Sequence, residues 1–172
     1  MRTNFTRKAF FIALGLTAAA FILPHNAKAE HFGIVLQVSG DGQQVQATMD
    51  TSPPPQGYNP RPVLQVQSGD MVVVHWRITN QFPHGAINHA GVHFYVAPEQ
   101  SIGQKTVPSP NSPDTVLDNE FQMNFAPHAS ASGEARFRAD SPGVYLVRLQ
   151  SEGTAREFGH EHFAAVDLKV VP

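Results

Sequence analysis

The stretch that decides the fold is 71–79, Met71-Val72-Val73-Val74-His75-Trp76-Arg77-Ile78-Thr79. Val72, Val74, Trp76 and Ile78 fall on one face by period-2 alternation, and Met71, Val73, His75, Arg77 and Thr79 fall on the other. β-branched and aromatic residues dominate it, which suits a pleated, half-buried surface. It reads as a strand whose first set faces a core, with Trp76 the largest member of that set. Upstream, Ser68-Gly69-Asp70 is a tight turn and VLQVQ at 63–67 a short strand. Downstream, NQFPHGAINHAG at 80–91 reads as a histidine-bearing loop. VHFYVA at 92–97 follows as a strand, with Val92, Phe94 and Val96 inward and His93 and Tyr95 on the opposite face.

The same rule extends to both ends of the chain. FGIVLQV at 32–38 alternates, SGDG at 39–42 is a turn, and QQVQATM at 43–49 is the returning strand of a hairpin. FQMNF (121–125), EARFRA (134–139), VYLVRL (144–149) and FAAVDLKVV (163–171) complete the set. TSPPPQGYNPRP at 51–62 holds five prolines and reads as a loop or an edge crossing. Residues 98–120 are long, polar and proline-containing, the kind of segment that is functional or mobile in a compact domain. No helical period is present. Eight or nine short strands separated by Gly/Pro turns predict an all-β sandwich, with no internal repeat and no second domain.

The first 29 residues read as a leader outside that domain. Arg2, Arg7 and Lys8 precede a fifteen-residue apolar run, Ala9 to Leu23. Pro24 breaks the run, and Ala27-Lys28-Ala29 fits the small-x-small cleavage pattern. The run is short for a membrane span, which needs about 20 apolar residues. Cleavage after Ala29 is expected, giving a periplasmic or secreted domain from Glu30 to Pro172 with no membrane anchor. Loss of Arg2, Arg7, Lys8 and Lys28 leaves 8 basic residues against 14 acidic ones, a net charge near −6. So acidic a chain has no electrostatic footprint for nucleic acid. It contains no cysteine, so no disulfide supports the fold. Eight of its nine histidines follow the leader, and imidazole is the commonest metal-ligand side chain.

Two longer passages carry a family resemblance. GYNPRPVLQVQSGDMVVVHWRITNQFPH (57–84) is similar to the strand, Gly-Asp turn, long strand ending in Thr-Asn, and Phe-Pro-His of the cupredoxins. FQMNFAPHASASGEARFRADSPGVYLVRL (121–149) resembles the pair of strands that leads into that family's Pro-Gly-x-Tyr. The resemblance implies a Greek-key sandwich of about seven to nine strands and makes His84 the first copper ligand. It also implies a cysteine four residues beyond Tyr145, and this chain has Leu149 there. A blue-copper site needs two histidines and a thiolate, with a weak axial methionine. With neither the thiolate nor a methionine after the second histidine loop, the resemblance carries the fold and His84, but not electron transfer.

The loop QSEGTAREFGHEHF (150–163) ends in Gly159-His160-Glu161-His162. On extended chain His160 and His162 point the same way. Opposite His84 they would give three imidazoles, a set that suits Cu(II) or Zn(II). The plain alternative is a pair of solvated loop residues with Glu161 beside a cation. His89 and His93, in HGAINHAGVH, are secondary candidates. Their alternatives are a loop histidine bonded to backbone and an outward sheet histidine beside Tyr95. His75 reads as a sheet-surface residue and His128 as a turn residue. His31 would be a metal-binding N-terminus only if cleavage fell after Glu30, which the cleavage rule opposes. No G-x-S-x-G, H-E-x-x-H or cysteine nucleophile is present.

These features predict an exported protein that binds copper, or another divalent metal such as zinc, through His84, His160 and His162. It would act in metal handling or as an accessory to an exported redox partner. The alternative is a metal-free sandwich whose loops bind that partner. A small type 2-like copper enzyme has the least support.

Overall fold

Strand faces follow the alternation of the sequence. Phe32, Ile34, Leu36 and Val38 are buried and the residues between them half-exposed, so β1 (Phe32–Gly40) lays one side on the core. Asp41 and Gly42 both take positive φ (49° and 69°), which makes the two-residue turn that matches strand twist and returns the chain as β2 (Gln43–Thr48). The computed structural model describes residues 31–49, 61–82, 84–152 and 162–172. The leader expected at 1–29, most of the proline-rich stretch and His160 lie outside the described residues.

Beyond β2 come β3 (Val63–Gln67), β4 (Met71–Asn80), β5 (Ile87–Glu99), β6 (Leu117–Phe125), β7 (Ser130–Arg138), β8 (Gly143–Glu152) and β9 (Phe163–Val171). They form two sheets, one of four strands in the order β2-β1-β4-β7 and one of five in the order β3-β9-β8-β5-β6. Among the described residues the protein is all-β, a sandwich of nine strands. All pairings are antiparallel except β3 with β9. Between the sheets lie Leu36, Val72, Val74 and Ile78 from the first, and Phe94, Val96, Val147 and Val166 from the second.

Trp76, expected in the core, is half-buried against it, and so is Tyr145. Tyr145 sits near a chain turn and donates its hydroxyl to the Ser141 carbonyl (3.0 Å). Trp76 spans the open side of the sandwich. It lies over Gly133 on β7, where a Cβ would stand 2.4 Å from its ring, and stacks on Phe121 of β6 (5.4 Å, 25°). β7 and β6 are the edge strands on that side, so one indole closes the gap between them.

Several strands run further than the apolar pattern indicated. β5 starts at Ile87, inside the expected loop, because backbone pairing with β6 continues through a bulge between Ile87 and Ala90. Polar residues there keep their side chains in water, so pairing leaves no hydrophobic signature. The 98–120 stretch contributes the end of β5 and the start of β6. Between them run hydrogen-bonded turns, tied to the sheet by Val116 N–H on the Val96 carbonyl (2.8 Å) and Gly103 N–H on Asp167 Oδ2 (2.6 Å).

Candidate functional site

One end of the sandwich collects the start of β1, β5, β7 and β9 and the end of β4, β6 and β8. The rungs Phe32–Asn80, Thr79–Ser130, Ile87–Phe125 and Gln150–Phe163 mark it. Asn80 is fully buried there and organises the loops. Its amide donates to the carbonyls of Gly85 (2.8 Å) and Ala126 (3.0 Å), and its Oδ1 accepts from Phe82 N–H (2.9 Å). These bonds fix the turn that carries Phe82 and His84. His84 itself is exposed.

His162 stands one residue before β9 and is 2 % exposed. The backbone of Ser151 donates to its carbonyl (2.8 Å), and its own N–H donates to Ser151 Oγ (3.0 Å), so the end of β8 holds it firmly. Its ring meets Phe32 edge-on (5.9 Å), and Phe32 packs on Phe125 (5.2 Å), an apolar floor beneath the imidazole. His31 comes from the opposite sheet. Its N–H donates to His162 Nε2 (3.3 Å), the two rings lie 5.7 Å apart edge-on, and its own ring leans on Phe82 (4.4 Å).

The other histidines stand elsewhere. His89 is exposed on the β5 bulge with φ at 54°, its N–H donating to Asn124 Oδ1 (2.8 Å). His128 is an exposed turn residue with φ at 57°. His75 is exposed on β4, with its Nδ1 3.4 Å from Glu134. His93 is on the outer face of the five-stranded sheet, the side opposite the one where Val92 and Ser151 face the core. Both its ring nitrogens are taken by carboxylates, Nδ1 by Glu152 (2.6 Å) and Nε2 by Asp118 (2.5 Å). Burial alone would push this imidazole down, but the two hydrogen bonds and negative charges outweigh it and raise its pKa above the ordinary value. His93 is therefore an imidazolium clamp between three strands, directed away from His162.

Among the described residues, no three His, Cys, Asp or Glu side chains come together as a group that could hold a metal. The described candidates divide into the His31–His162 pair, exposed His84 and His89, and His93 on the outer face. Leu149 is fully buried on the inner face, paired with Phe94.

Sequence reasoning missed two features. One is His31 beside His162, because a sequence distance of 131 residues hides the contact. The other is a buried charge cluster on the outer face. Arg61 bonds both oxygens of Glu99 (2.9 and 2.8 Å) and lies 2.5 Å from Asp167. The signal for it was Asp167 itself, the acidic residue inside the run FAAVDLKVV. Burial raises the Glu99 pKa to about 7; the nearby Asp167 charge adds to this and Arg61 opposes it.

No family model and no curated protein matches the chain.

Proposed function

We propose that this is an exported, cupredoxin-like protein that binds a copper ion, or another divalent metal such as zinc, at its histidine end. His84, His160 and His162 are the proposed ligands, and the role is metal handling or service to an exported redox partner. The observation that carries this reading is position. His162 at the threshold of β9 and His84 in the loop after β4 belong to the same end of the sandwich, on supports that Ser151 and Asn80 hold rigid. A site on rigid supports loses little conformational freedom when it closes on an ion. Leu149, buried and inward where the cupredoxins have their thiolate, supports a site built from imidazole alone.

The test is a Cu(II) titration of wild type and of His84→Ala, His162→Gln and His75→Ala. Bound copper should show weak ligand-field absorption with no intense thiolate band. Affinity should fall as pH drops through about 6.5, the ordinary imidazole value, since protonated rings cannot coordinate. His75→Ala should bind as wild type does. Unchanged affinity in both the His84 and His162 variants rejects this site and favours a loop surface for a protein partner, which pull-down with the same variants would then reveal.

A further inference from the structure

The histidine end holds a donor that the three-histidine reading leaves out. We propose that His31 coordinates the same copper(II) ion as His162, so that the metal bridges the two sheets of the sandwich. The inference rests on the reading of this end as a metal site, and adds a ligand to it.

The geometry is the first argument. An imidazole nitrogen lies about 2.0–2.1 Å from a bound ion, which puts the ring centre about 3.2 Å from it. Two rings sharing an ion then have centres about 4.5 Å apart when cis and about 6.4 Å apart when trans. The His31 and His162 rings are 5.7 Å apart and edge-on, within that interval. Phe82 packs at 4.4 Å from the His31 ring and is an apolar wall on that side.

The second argument is support. The His31 carbonyl accepts Gln81 N–H (2.8 Å), which anchors the residue to β4 one step beyond the last rung with β1. His162 is anchored to β8 through Ser151. Each ligand thus hangs from a different sheet, and each is fixed at its backbone before any ion arrives. The third argument is chemistry. The His31 backbone N–H donates to His162 Nε2 (3.3 Å), a long bond that coordination through that nitrogen would replace, so the donors offered are the two imidazoles, with His84 on the adjoining loop. Imidazole donors suit Cu(II), which stands at the top of the affinity order of the divalent first-row ions.

The experiment uses the protein with its natural N-terminus, as the cell leaves it and with no N-terminal tag, and Cu(II) alone as the probe. Wild type, His31→Phe, His31→Ala and His84→Ala are titrated against a competing chelator. Electron paramagnetic resonance then counts the coordinated nitrogens, and thermal melts are recorded with and without the ion. His31→Phe keeps a ring against Phe82 and removes only the donor, so it separates coordination from packing. Both His31 variants should bind on the order of tenfold or more weakly, a loss of the size seen when metal sites are perturbed. They should also show one fewer nitrogen in the spectrum, and should lose most of the copper-dependent rise in melting temperature. If His84→Ala weakens binding while both His31 variants match wild type in affinity and spectrum, His31 is not a ligand and the metal reading stands without it. If wild type binds no copper above the level of a histidine-free control protein, both fall together.

Discussion

At the scale of single residues, Gly133 has the least room for a side chain of the described glycines, because Trp76 lies over it. A methyl group on Gly133 would sit 2.4 and 2.6 Å from two atoms of the indole, closer than any relaxed contact allows. Gly133→Ala should therefore displace Trp76 from Phe121 and cost about 1–3 kcal/mol, the usual penalty for overpacking. Urea denaturation of the variant against wild type measures this. An unchanged midpoint would mean that the ring is not held over the glycine. The inward position of Trp76 was legible in the alternation of 71–79. Its partial exposure was not, because alternation reports the face of a strand and is silent on whether that strand lies beside the edge of its sheet. The same limit applies to His93. Its outward direction could be read from Val92 and Phe94, but the two carboxylates that enclose it come from positions 25 and 59 residues away.

Among the elements, β6 depends most on side chains. It is an edge strand, its pairing with β5 is broken by the bulge at Ile87–Ala90, and its burial pattern is mostly exposed or half-exposed. Asp118 on β6, His93 on β5 and Glu152 on β8 bind these three strands across the outer face. The clamp requires a charged imidazole. Because the folded pKa of His93 is raised above 6.5, its stabilising contribution is complete below the unfolded value and is lost as pH rises through the folded one. Thermal midpoints of wild type should fall with rising pH across that upper window, and His93→Gln should flatten the fall. A variant whose midpoint keeps the wild-type slope would place the pH dependence elsewhere. The clamp also shows why the strand boundaries were misjudged here. The start of β5 (87–91) and the start of β6 (117–120), which lie outside the expected strands, are joined by backbone pairing and polar contacts that leave little hydrophobic period.

Over the whole molecule, the two faces of the five-stranded sheet have different chemistry. The inner face is the apolar core. The outer face buries Tyr95, Ala97, Leu146 and Ala165 beside charged Arg61, Glu99 and Asp167. One guanidinium there serves two carboxylates that have almost no contact with water, which leaves an unbalanced negative charge. Glu99 relieves it by holding a proton up to about pH 7. Its folded pKa lies above the unfolded 4.5, so its contribution is complete below 4.5 and is lost as pH rises through about 7. Glu99→Gln keeps an acceptor for Arg61 and removes the charge. It should melt as wild type does in mild acid and at a higher temperature than wild type above neutrality. Equal melting at both ends of that range would show that Arg61 neutralises both carboxylates. A two-layer architecture of eight or nine strands was legible in the turns and alternation. The order of strands within each sheet was not, since a period of two fixes a face and leaves the neighbour open.

The placement of Trp76 has an optical consequence. It is the only indole in the chain, so all tryptophan emission comes from one place. That place is the seam between β7 and β6, with one face on Gly133 and the other on Phe121. Parting of those two strands admits water to the ring and shifts its emission to the red, even while the rest of the backbone gives an unchanged far-ultraviolet spectrum. Trp76 also lies four residues from Asn80, about 13 Å along the strand from the histidine end. One fluorophore therefore reports on the seam directly and stands close enough to that end for a paramagnetic ion there to dim it.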